Sequence, residues 1–241
     1  MTSAHVRPFR GVFAVAPTPF SESGEVDFLG QGRVLDCMAD QGVDGLCILA
    51  NFSEQFSLTD GERESLVDFC LEHVAGRLPV IVTCSHFSTR VAAERARRAA
   101  ARGASLIMLM PPYHGATMRA DEDGLVEHLR RVAEGCGLPI MLQDAPLSGT
   151  QLSAELLARI AREVPAGRST EAAAAYARVL PLINFENRQC GLRATKAVMA
   201  AGGVIRSDAT RHPVSPLSPA TRAALLELAR EVDPVVLRWG R

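Results

Sequence analysis

Five short apolar runs, separated by amphipathic helical patterns, constrain this chain more than any other feature. They are GVFAVAPTPF (11–20), GLCILAN (45–51), PVIVTCS (79–85), SLIMLMPP (105–112) and PIMLQDA (139–145). None alternates apolar with polar residues as a one-sided sheet would, so each reads as a strand buried on both faces. Their starts lie about 25 to 35 residues apart, the length of a strand–helix–strand step. The intervening segments 27–41, 60–73, 89–102, 121–134 and 154–163 carry helical periodicity. Thr59 followed by Glu62 is a capping box, Ser153 is an N-cap, and Gly42, Gly76, Gly103 and Gly135 stand where helices should stop. Five such units in series specify a parallel sheet, either doubly wound or a (β/α)₈ barrel. No GxGxxG follows the first run, which disfavours a dinucleotide-binding layer and leaves the barrel.

A barrel needs eight units, and after Val164 the rhythm fails. The stretch REVPAGRSTEAAAAYARVL (162–180) passes from a helix to Pro-Ala-Gly and straight into another helical pattern. Further helices are expected at 171–180, 192–201 and 219–232, the last opened by Ser218-Pro219. The expected fold is therefore α/β: an incomplete (β/α)₈ TIM barrel of five βα units, with strands 6 to 8 missing, plus C-terminal helices. The expected division is 1–165 for the partial barrel and 166–241 for the helical region.

Composition narrows the partners. A net charge of -1 over 241 residues gives no electrostatic footprint for nucleic acid or a membrane surface. The apolar runs are too short to cross a bilayer, and the start lacks a secretory core. The six cysteines are scattered without a CxxC pair, as expected of reduced thiols in a cytoplasmic protein. No His, Cys and carboxylate set has metal-ligand spacing, so neither a metal nor another cofactor is expected. Of the 26 Lys and Arg residues only Lys196 is lysine.

In parallel barrels the chemistry gathers at the C-terminal strand ends. Here those ends read Pro17-Thr18-Pro19-Phe20, Asn51-Phe52-Ser53-Glu54, Ser85-His86, Pro112-Tyr113-His114 and Gln143-Asp144-Ala145-Pro146. Each has a plainer reading. Asn51 and Ser53 suit a turn that bonds its own backbone. Tyr113 suits a packed loop aromatic with a wet hydroxyl, Asp144 a loop anchor, His86 and His114 satisfied structural imidazoles, and Lys196 a solvated helix face.

These strand ends resemble the dihydrodipicolinate synthase / N-acetylneuraminate lyase family of class I aldolases and dehydratases. ANFSE (50–54) takes the place of the family's GTTGE-like loop, MPPYHG carries the tyrosine at Tyr113, and QDAP (143–146) takes the place of its YNxP-like turn. ILANFSEQF, PPYHGAT, LPLINFENRQ and the final LRW resemble the 2-keto-3-deoxy-L-arabonate dehydratase branch over nearly the whole chain. The resemblance implies a lyase of pentose catabolism acting on a small-molecule 2-keto acid. Asn51, Phe52 and Ser53 would receive the carboxylate, and Asp144 would also bind substrate. A strand 6 lysine would form a Schiff base, Tyr113 would move protons, and Gln143 would replace the usual strand 5 tyrosine as in the dehydratases. Members of the family are commonly tetramers, so a homo-oligomer is implied, with contacts that missing units would disturb.

About seventy residues, the size of two to three βα units, would be missing at the 162–180 seam, and the Schiff-base lysine with them. Lys196 matches a lysine of the family's C-terminal helices and not the nucleophile. Three readings follow: a family lyase inactive as written, a non-catalytic 2-keto acid-binding or scaffold paralogue, or a deletion product with no function of its own.

Overall fold

A computed structural model describes residue 9 and residues 11–114, 118–144, 152–164, 190–232 and 234–240. The 165–167 junction, the boundary expected at 165–166 and the helix expected at 171–180 lie outside them. The chain gathers into two compact units, one formed by Phe13–Leu78 with Thr170–Arg241, the other by Met1–Val12 with Pro79–Ser169.

In the first unit, strand β1 (Phe13–Val15) runs parallel to β2 (Gly45–Ile48), with Phe13 opposite Gly45 and Val15 opposite Cys47. Gly45 is needed at this crossing, because a Cβ there would stand 2.2 Å from the Phe13 ring. Helix α1 (Phe28–Asp40) starts where Asp27 accepts from the Gly30 N–H at 2.9 Å. Helix α2 (Asp60–Val74) carries the expected capping box: Glu62 N–H donates to Thr59 Oγ1 (3.2 Å) and Thr59 N–H to Glu62 Oε2 (2.9 Å). His73 and Arg77 both bond Asp36, at 3.0 and 2.8 Å, and so tie α2 to α1.

The tail returns to this unit. Its helices α6 (Arg193–Ala201) and α7 (Pro219–Val232) bury Cys190, Ala194, Ala197 and Leu225 against one another, with Val198 and Leu217 at the margin. The C-terminal turn Val235–Leu237 lies so close to Gly202 that a Cβ there would meet the Val236 carbonyl oxygen at 1.8 Å. Trp239 then donates its indole N–H to Asp40 Oδ2 (2.7 Å). The Arg33 guanidinium, which holds the Val204 carbonyl, lies 5.2 Å from the indole ring.

The second unit holds three parallel strands, β3 (Val80–Thr83), β4 (Leu106–Leu109) and β7 (Ile140–Leu142), with β4 in the middle. Helix α3 (Thr89–Ala101) buries Ala92, Ala96 and Ala99, whose small side chains let α4 (Glu122–Cys136) approach with Leu125, Leu129 and Val132. Helix α5 (Ala154–Glu163) begins where Ser153 Oγ accepts from the Leu156 N–H at 3.1 Å, as expected. Every residue of β2, β3 and β4 is buried, the two-faced burial that their unbroken apolar runs imply.

Two local expectations change. Helix α4 runs past Gly135 and ends at Gly137 (φ 68°), whose amide caps the Ala133 carbonyl. The other three expected stops, Gly42, Gly76 and Gly103, do take positive φ. After β4 the chain forms a two-rung antiparallel hairpin, β5 (Tyr113–His114) with β6 (Met118–Arg119), where a plain loop was expected. Among the described residues no strand follows β7.

Candidate functional site

The loop after β2 is the most tightly built strand end. Asn51–Ser53 form one 3₁₀ turn, and non-glycine residues in left-handed conformation stand on either side of it: Leu49 (φ 58°) and Glu54 (φ 56°). Such backbone costs about 1 kcal/mol or more per residue and persists only where surroundings enforce it. On the β1 side the enforcement comes through Ser53, which is fully buried. Its hydroxyl donates to the Ala16 carbonyl (2.6 Å) and accepts from the Ala50 N–H (3.1 Å), while Thr18 Oγ1 donates to the Ser53 carbonyl (2.8 Å). The Asn51 side-chain oxygen accepts from Gln55 Nε2 at 2.8 Å. Asn51 and Phe52 are half-buried and Ser53 lies beneath them, so the structure keeps the three together and commits the Ser53 hydroxyl to the scaffold.

The other side of the turn holds a group the sequence misplaced. Lys196 does not lie on a solvated helix face; it is fully buried on α6. Its ammonium pairs with Glu54 Oε1 and donates to the Ala209 carbonyl (2.9 Å), 4.2 Å from the Phe20 ring centroid. Burial lowers its pKa below the ordinary lysine value, and the Glu54 carboxylate works against that shift. Glu54 Oε2 also accepts from the Arg211 N–H at 3.2 Å. The Arg211 guanidinium reaches the Gly24 carbonyl (2.8 Å), the Ser57 carbonyl (2.9 Å) and both oxygens of Glu62, whose pKa it pulls down to about 2. The misreading has a physical source. Ala194 and Ala197 beside Lys196 are too small to announce a buried face, and its partner is 142 residues away. One available signal was its solitude among arginines, because lysine and arginine are not interchangeable and a lone lysine marks a position with its own demand.

In the second unit, Gln143 follows β7 and its N–H extends the pairing to the Leu109 carbonyl (2.8 Å). Its side-chain oxygen is shut off from solvent and has no hydrogen-bond partner among the described residues. A buried acceptor without a partner favours the arrival of a donor. Asp144 is exposed beside it. Tyr113 sits opposite Arg119 in the hairpin register; its side chain lies outside what is described.

The β3 end is structural: Ser85 Oγ accepts from the Met110 N–H (2.9 Å) and His86 Nδ1 from the Ser88 N–H (2.9 Å). His128, which sequence reading passed over, is buried on α4 with Nδ1 bonded to Thr89 Oγ1 (3.0 Å) and Nε2 without a partner among the described residues. Burial, with His86 nearby, pulls its imidazole down to about 4. Among the described residues no three His, Cys, Asp or Glu side chains cluster as a metal site would need, and no helix is long and apolar enough to cross a membrane.

Residues 8–165 match the sequence model of the Dihydrodipicolinate synthetase family. An L-2-keto-3-deoxyarabonate dehydratase from Azospirillum brasilense is 44% identical, in an alignment covering 100% of both chains. That alignment runs over 308 positions against the 241 residues present here, so at least 67 positions have no counterpart in this chain. A 4-hydroxy-tetrahydrodipicolinate synthase from Acidothermus cellulolyticus is 35% identical over 66% of this chain, a match spanning only 51% of that protein. A provisionally assigned dihydrodipicolinate synthetase from Pseudomonas aeruginosa superposes with a TM-score of 0.85 at 27% identity, over 92% of this chain and 99% of that one. The dihydrodipicolinate synthase from Aquifex aeolicus, 19% identical, shares the fold with a TM-score of 0.82 over 93% and 98%.

Proposed function

We propose, from the premise that this chain belongs to the dihydrodipicolinate synthetase family, that it is a 2-keto-3-deoxy sugar acid lyase of the dehydratase branch which keeps the binding groups and has lost the amine. The observation that carries this reading is the state of Lys196. Schiff-base chemistry needs a free side-chain amine, lysine alone supplies one, and the only lysine in the sequence is buried in an ion pair with Glu54. Without an iminium there is no electron sink at C2, so neither proton loss from C3 nor hydroxide loss from C4 is assisted. The 67 unmatched positions correspond in size to two to three βα units, and the family match ending at residue 165 supports a gap there.

The residues that remain suit recognition. In this reading the turn Asn51–Ser53 receives the carboxylate, with Ser53 shaping it from beneath. In the other unit, the Gln143 side-chain oxygen, without a partner among the described residues, suits a substrate hydroxyl, and Tyr113 and Asp144 take the positions the resemblance gives to proton relay and substrate binding. The name of the Azospirillum relative supports a deoxypentonate over a synthase substrate. Calorimetry with pyruvate and with 2-keto-3-deoxy acids should give millimolar binding without turnover. Borohydride reduction of the same mixtures, followed by intact-mass measurement, should leave the chain unmodified, and a stable adduct on Lys196 would sink the reading.

A second reading is favoured by the same 67 positions: an internal deletion without a function of its own. Genomic DNA between the codons for Val164 and Gly167 decides it. A coding remnant of the missing strands there, in or out of frame, would establish the deletion.

A further inference from the structure

The Lys196–Glu54 pair does more than rule out a nucleophile. We propose that Lys196 and Arg211 are positioning residues that set, through Glu54, the shape of the Asn51–Ser53 turn. The proposal rests on the reading of that turn as the carboxylate receiver. Glu54 follows Ser53 directly and holds the left-handed conformation that ends the turn. Both of its carboxylate oxygens are taken by the tail, one by the Lys196 ammonium and the other by the Arg211 N–H. The ammonium's further bond to the Ala209 carbonyl joins α6 to segment 209–211, so both groups act on Glu54 as one body.

Arg211 extends the hold along the chain. Its guanidinium bonds the Ser57 carbonyl, which ends the next 3₁₀ turn (Gln55–Ser57), and the Glu62 carboxylate of the α2 capping box. Phe20, at the end of the first apolar run, has the Lys196 ammonium 4.2 Å and the Arg211 guanidinium 4.4 Å from its ring centroid. The turn is thus gripped by the β1 end through Ser53 and by residues 142 and 157 positions downstream through Glu54. A buried ion pair is a poor source of net stability, since desolvation offsets its attraction, but it admits few alternative arrangements. That restriction suits a group whose task is to fix geometry.

Hydrogen–deuterium exchange on the full chain tests the lock, with pyruvate affinity as a separate arm. In Lys196→Met, amides 50–57 should gain about tenfold more exchange over the parent than those of β1 and the middle of α1, which report only the unit's overall loss of stability. Unchanged exchange, or a rise of equal size across the whole unit as a general stabilising role would give, overturns the proposal. Should Lys196→Met not fold, Glu54→Gln/Lys196→Met removes both charges together and is read by the same two outcomes. Pyruvate should bind the variant about tenfold more weakly, as a displaced receiving turn requires. Equal affinity in folded variants overturns the link to binding. A parent chain that binds no pyruvate overturns the carboxylate reading, and the exchange pattern alone then decides the lock.

Discussion

Glu54 and His128 place charge-bearing groups in dry surroundings, and their opposite solutions make opposite predictions. Glu54 is matched by an ammonium, so removing that partner strands a carboxylate. Lys196→Met should lower unfolding free energy by about 3–5 kcal/mol in urea titrations. Lys196→Arg should also destabilise, because a guanidinium cannot replace a compact ammonium between a carboxylate, a carbonyl and a ring face. His128 instead stays neutral. Its folded pKa of about 4 lies below the unfolded value near 6.5, so the unfolded chain takes up the proton first as pH falls. Stability should be full above pH 6.5 and decline by about 3 kcal/mol by pH 4. His128→Asn should flatten that limb in chemical unfolding measured across pH. Glu62 has the depressed carboxylate shift, so its contribution is present above pH 4.5 and disappears as pH falls toward about 2. Glu62→Gln should remove this lower limb and leave the upper one.

At the scale of elements, burial separates the strands. Those of β2, β3 and β4 are wholly buried, whereas β1 and β7 expose Val15 and Met141 to 37% and 36%. Among the described residues β7 pairs with β4 alone, and an apolar strand with a partner on one side invites association. Met141→Lys should reduce concentration-dependent light scattering while shifting unfolding by no more than about 0.5 kcal/mol. The strands β1 to β4 and β7, the helices α1 to α7 and the Thr59 and Ser153 caps were readable in the sequence, because apolar runs, helical periodicity and cap residues act locally. The hairpin at Tyr113 was not, since two-residue strands carry no period. Nor was the end of α4, where Gly135 and Gly137 both offered a stop. The apolar runs placed Asn51 and Gln143 at strand ends, and the resemblance to the family supplied the roles expected of them. The lock on Glu54 was not readable, because its partners stand far down the chain and leave no local pattern.

For the whole molecule, chain order and compact grouping disagree. The helical tail gathers with the first two strand–helix steps, and the next three steps gather separately. Deleting residues 190–241 should therefore destroy protection of 45–57 in limited proteolysis, because Glu54 and Glu62 would lose Lys196 and Arg211 together. The clasp at the chain's end offers a direct way to watch this. Trp239 is the only tryptophan, and its indole is bonded to Asp40 of α1. Its emission spectrum is thus a native optical gauge of tail docking. A red shift without loss of far-ultraviolet ellipticity would mark undocking while the helices persist, with no label added to the protein.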